Sequence, residues 1–222
     1  MTTVRTVAAH EVVRATYPRP EVTERDELGM AVGKAIDHAL SRYANDASRG
    51  LRPTAASTRR IAAEVLDEEL RDIDLRPPAA ELDRIQAQIG AVIAAFRKSP
   101  LYGLRRPQSR LVLIGAEAGV YAQPDYWDGR SRFFEMKSYR AVPPPPDVRL
   151  QLSLFQLAFP GFEAHLVCLN RHAVPVEVLD ERIPPLSEEE GRAVLDRARA
   201  VALDAGVEKV LEYVSNPIVR YA

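Results

Sequence analysis

The sequence predicts an α/β or α+β core preceded by a helical part. Three observations carry that expectation. Apolar residues recur at helical spacing through most of the first hundred positions, the period shortens to that of strands after residue 110, and helix-capping signals return between and after the strands. The 222 residues are 46% hydrophobic with a net charge of −1, which excludes a disordered chain and a general polycation. No apolar run approaches the roughly 18 residues of a membrane span, and residues 1–10 lack the apolar centre of a signal peptide. Cys168 is the single cysteine, so an internal disulfide or an all-cysteine zinc or iron–sulfur site within one chain is excluded. A cytoplasmic protein with no membrane partner is the expectation.

The elements follow in order. Thr23, with Asp26 three positions on, is a capping-box variant opening a helix to about Asn45, with Leu28, Val32, Ile36 and Leu40 at four-residue spacing. A second helix covers roughly Ser57 to Ile73 through Ile61, Val65, Leu66 and Leu70. Pro77 and Pro78 suit the start of a third, which runs to about Lys98. Arg110–Ile114, Gly119–Trp127 and Phe133–Tyr139 then read as strands, the last two joined at Asp128-Gly129, a hairpin signal. Pro143–Pro146 is a stiff polyproline lead to a helix capped by Asp147 and ending near Ala158. Ala164–Leu169 and Val174–Leu179 are two more strands. Ser187 and Glu190 form a capping box for a last helix to about Ala205.

Charge is distributed unevenly. Residues 101–150 carry a net +3 and residues 151–222 a net −4, so an anionic partner is favoured at the central segment. The central segment also carries the chemistry. Glu135 and Lys137 stand at i and i+2 on a predicted strand and share a face. Phe133 and Phe134 lead that strand into apolar surroundings, where a charge needs partners. With Asp125 ten residues earlier, two carboxylates beside a lysine form a hard-oxygen cation site suited to Mg²⁺ or Mn²⁺. An acid-x-Lys triplet arises by chance about 0.6 times in a chain of this composition, so a structural ion pair between Glu135 and Lys137 is the competing reading. Gln151 sits in an almost wholly apolar helix, and its amide wants a partner. It could be aimed at the Glu135–Lys137 face or bonded to a loop carbonyl.

The order Pro124-Asp125, Glu135-x-Lys137, Gln151-x-x-x-Phe155 resembles the PD-(D/E)xK nuclease superfamily. It is nearest the branch of RecB-type nuclease domains and Cas4-like exonucleases, which carries Q-x-x-x-Y after the catalytic strand; here Phe155 stands in the tyrosine's place. That branch also has a G-x-x-x-H motif on an early helix, with the histidine a metal ligand. Gly33 here puts Asp37 at the histidine's spacing and His38 one residue, about 100° of helix, beyond it. Family members with an iron–sulfur cluster are excluded by the single cysteine.

The resemblance implies an α/β fold with a mixed central β-sheet flanked by helices, a restriction-endonuclease-like core. Residues 101–222 would form that core. Residues 1–100 would be a helical N-terminal part lending the first core helix, about residues 23–45, within one compact domain. It implies metal-dependent hydrolysis of DNA, with Asp125 and Glu135, and Asp37 or His38, as metal ligands. Lys137 and Gln151 would act in catalysis, and Gln151, Arg130, Arg132, Arg140 and Arg149 would contact nucleic acid. Tyr102, Arg105 and Arg106 precede the core in a loop and could touch phosphates. Glu117 is a further candidate carboxylate. A catalytically silent nucleic-acid-binding or assembly module that keeps the fold is the rival function.

The two acidic motifs must also share a face. A strict two-residue loop at Asp128-Gly129 would pair Trp127 with Arg130 and put Asp125 opposite Arg132, on the face away from Glu135. An odd-length loop or bulge repairs this. The three-residue loop Trp127-Asp128-Gly129, pairing Tyr126 with Arg130 and holding Gly129 at positive φ, is the register the nuclease reading expects.

Overall fold

Val4 and Thr6 are buried while Thr3 and Arg5 are exposed, the alternation of a half-buried strand. The first element is accordingly β1 (Thr3–Ala8), followed by α1 (Ala9–Thr16), where the sequence suggests only helices. The structure, a computed structural model, describes residues 3–18, 23–211 and 214–221.

The predicted helices stand close to their expected ends. In α2 (Glu24–Ser48) the Thr23 side chain accepts from the Asp26 N–H and Asp26 reaches back. In α3 (Ala55–Asp72) Thr54 rather than a residue near Ser57 is the cap, and α4 (Ala79–Phe96) starts after Pro78. Strands β2 (Arg110–Ile114) and β3 (Ala118–Ala122) form a hairpin, and β4 (Tyr126–Trp127) and β5 (Arg132–Lys137) form another. What reads as one strand from Gly119 to Trp127 is thus broken at Gln123–Asp125. Pro124 has no N–H to give a ladder, and there the chain passes from one sheet to the other.

Helix α5 (Pro146–Ala158) has Pro145 at its cap and Pro146 in its first turn, so Asp147 lies inside the helix rather than at its cap. Strand β6 (Glu163–Asn170) is followed by β7 (Glu177–Ile183), which starts three residues later than the sequence suggests. Helix α6 (Glu188–Ala205) carries the Ser187/Glu190 box as expected. Strands β8 (Val207–Val210) and β9 (Ile218–Tyr221), not expected from the sequence, close the chain.

The fold is a mixed α/β one with its strands divided between two sheets, β8-β1-β3-β2-β9 and β4-β5-β6-β7. In the second, β5 runs parallel to β6 with Glu135 opposite Leu166 and Lys137 opposite Cys168. Each face of β5 meets a different core. Phe134 and Met136 pack with Tyr126, Val167 and the buried stripe of α2, α3 and α4. Phe133 packs with Leu166, Cys168, the apolar face of α5 and residues of β2, β3 and α6. No helix among the described residues is long and apolar enough to cross a membrane.

Candidate active site

The turn between β4 and β5 decides whether the acidic motifs can meet. Tyr126 pairs with Phe134 and Trp127 with Phe133, so Asp125 falls opposite Glu135, on its face. Five residues separate the last strand pair, an odd number as the shared face requires, and Gly129 has φ 77°. The particular register expected from the sequence is corrected, because Tyr126 faces Phe134 and not Arg130. The cause is Asp128. Its Oδ1 accepts from the N–H groups of Arg130, Ser131 and Arg132, and its Oδ2 from Arg132 Nε at 2.9 Å, which moves the turn past Gly129. Burial opposes the charge on Asp128, but these donors outweigh it and hold the carboxyl well below its usual range.

Asp125 Oδ2 accepts from the Met136 N–H at 2.9 Å, tying the carboxylate to the main chain of β5. Glu135 is 2% exposed. Its Oε1 accepts from Lys137 Nζ at 2.8 Å, and the same ammonium donates to Gln151 Oε1 at 3.0 Å. Gln151 therefore leans from α5 over β5. Burial and the Asp125 charge push Glu135 above the usual carboxylate range, with Lys137 pulling the other way. Burial would discharge Lys137, but Glu135 and Asp125 hold it protonated. One ammonium thus serves two acids.

On α2, Ala35, Ile36, Ala39 and Leu40 are buried in the core, which leaves positions 37 and 38 at the margin of that stripe. Asp37 is exposed, yet loss of solvation first, then the Asp125 charge, raise its pKa to about 7 against Lys137 and Arg171. His38 is exposed and enters none of the interactions around the acids. Among the described residues no three acid, histidine or cysteine side chains stand close enough to form a metal shell by themselves. The two acids still fit a hard cation, because Glu135 Oε2 is buried without a hydrogen-bond partner. A small divalent ion takes one or two carboxylates and completes its shell with water and phosphate.

Arg171, at the end of β6, belongs to none of the sequence motifs. Its side chain donates to Ser138 Oγ at 2.9 Å and to Gly29 O at 2.8 Å, clamping α2 onto the end of β5. Gly33 permits this, since a Cβ there would come 3.2 Å from Arg171 Nη1. The one signal for it in the sequence is an arginine directly after a largely apolar strand.

The remaining candidates are placed apart. Arg132 is held by Asp128 and Arg149 donates to Glu190 at 3.3 Å, while Arg130 and Arg140 are exposed. Glu117 pairs with Arg199, away from the acids. Phe155 packs edge-on to Phe133, centroids 6.3 Å apart, in a core with no use for a hydroxyl.

No family model matches the chain, and no curated protein does. Among solved structures it is similar to SSO0001, at 13% identity and TM-score 0.40 over 93% of this chain and 79% of that one. It is also similar to a candidate exonuclease from Eubacterium rectale, at 8% identity and TM-score 0.43 over 89% of this chain and 92% of that one. Both scores lie below 0.5, so the chemistry of the site is read from its own residues.

Proposed function

We propose that the chain is a Mg²⁺- or Mn²⁺-dependent nuclease that hydrolyses DNA phosphodiester bonds. One observation supports this above others: Glu135 and Lys137 of β5 and Gln151 of α5 are joined by bonds of 2.8 and 3.0 Å, Asp125 just before β4 is tied to the Met136 N–H beside them, and a buried Glu135 oxygen is left over. Asp125 and Glu135 would hold the cation, with Asp37 contributing from α2. The bound metal supplies Lewis acidity and lowers the pKa of a water. Lys137, kept charged by its neighbours, positions that water or stabilises charge growing on the phosphate. Gln151 and Glu135 both accept from the ammonium, so Lys137 is oriented before substrate arrives.

The test is cleavage of linear, circular, single-stranded and double-stranded DNA with Mg²⁺, Mn²⁺ or chelator. Metal-dependent cleavage lost in Glu135→Gln is the expected result; no cleavage of any form would overturn the assignment. The Glu135–Lys137 ion pair favours a second reading, a module that keeps the fold without the reaction. Metal bound by Asp125 and Glu135 with every DNA form left intact would select it.

A further inference from the structure

Between Asp83 and Glu117 the chain has no acidic residue and six basic ones. Four of these, Arg97, Lys98, Arg105 and Arg106, lie in the connection from α4 to β2 and make no ion pair among the described residues. Arg132 and Arg149, by contrast, are already paired. Uncompensated cations at a surface raise the local potential and attract polyanions.

An aromatic ring stands among them. Tyr102 is 45% exposed and lies against Tyr43, centroids 5.7 Å apart and planes at 33°, with Phe96 edge-on behind. Its hydroxyl is beside the Tyr43 hydroxyl and the Arg97 guanidinium. The ring is thus backed rather than free to swing. Ala94, Arg97, Lys98 and Tyr102 line a shallow hollow of about 320 Å³.

The strip also leads to the acids. Arg105 and Trp127 exchange main-chain hydrogen bonds of 3.3 and 2.8 Å, two residues from Asp125. Both Arg106 Nε and Tyr126 Oη are buried without a partner.

We propose that Arg97–Arg106 is a docking surface for a single nucleic-acid strand, with a base stacked on Tyr102 and phosphates on Arg97, Lys98 and Arg105 on the way to the acidic site. The proposal rests on the nuclease reading for its direction toward the acids. A single strand is favoured over a duplex because duplex bases already stack on one another, whereas an unpaired base offers its face to a backed ring. An acidic protein would use the cations but not the ring.

The test is anisotropy of fluorescein-labelled oligothymidylate on the full chain in chelator, so that no cleavage occurs. Tyr102→Ala should weaken binding about tenfold, the scale of one lost base stack, and Tyr102→Phe should bind as the wild type does. The exposed pair Arg97→Ala with Lys98→Ala should lower the slope of log affinity against log salt by about 1.4. Equal effects of the two Tyr102 variants, an unchanged salt slope, or displacement by duplex or polyglutamate as effective as by unlabelled strand would each overturn the proposal. Strand binding through Tyr102 with no DNA form ever cleaved would overturn the nuclease reading and leave this surface standing. Cleavage with binding unaltered in every variant would do the reverse.

Discussion

Asp128 and Glu135 lie seven residues apart around one turn and meet opposite electrostatic fates. Asp128 has three main-chain N–H donors and the Arg132 side chain for its two oxygens, and its pKa falls. Glu135 is buried beside another acid with a half-share of one ammonium and an oxygen that bonds to nothing, and its pKa rises. A carboxylate whose donors are supplied by its own backbone is a structural part. One that folding buries beside a like charge costs stability unless something else neutralises it, and a divalent cation would do so. The difference separates an acid that holds the fold from one that burial leaves short of donors.

The largest effect should come from the acids short of donors. Glu135→Gln and Asp125→Asn should each reduce metal-dependent cleavage to background in a plasmid or oligonucleotide assay. Their melting temperatures should hold or rise, since repulsion between unliganded carboxylates is removed. Wild-type cleavage by either variant would place the site elsewhere.

Next comes the shared cation. Lys137→Arg should lose on the order of 10²-fold in cleavage rate, because a planar guanidinium cannot take the place of one ammonium between Glu135 and Gln151. Full activity in single-turnover assays would reduce Lys137 to a counter-charge.

The third prediction separates neighbours on α2. Asp37→Asn should weaken metal affinity about 10- to 100-fold, the scale of losing a group that supports a metal site, while His38→Ala should leave it unchanged. Calorimetric titration of Mn²⁺ into both variants reads this, and a larger loss in the His38 variant would reverse the assignment.

The smallest effect belongs to the satisfied acid. Asp128→Ala should cost about 1 kcal/mol of stability, as for a lost capping side chain, with metal affinity little changed. Because folding lowers the Asp128 pKa, its contribution is complete above the usual value of 3.8 and is lost as pH falls through the folded value. Urea melts at pH 6 should therefore show the full gap between wild type and variant, and the gap should shrink below pH 3.8. A gap that is constant with pH would mean that the turn does not depend on the charge.

Much of this organisation is legible in the sequence because its causes are local. The caps at Thr23 and Ser187, the four-residue spacing in α2 and the spacing of Glu135 and Lys137 act within a few residues of themselves. An odd-length turn can be inferred from the sequence, since only a shared face brings Asp125 to Glu135. Its register cannot, because three main-chain bonds to Asp128 move the turn beyond Gly129. Strand β1 escapes a sequence reading for a related reason. Six residues of alternating character do not establish a strand by themselves, and its neighbours β3 and β8 lie more than a hundred and two hundred residues away.

The sequence by itself determined the helices from α2 onward, that the core is of mixed α/β type, and that Glu135 and Lys137 share a face of one strand, because period and capping are properties of short stretches. Tertiary structure alone decided that Gln151 bonds Lys137 and that Arg171 clamps α2 to Ser138. Each of these depends on how one element is rotated against another. That rotation is set by packing apolar side chains from distant parts of the chain into a common core, and packing at native density admits few arrangements.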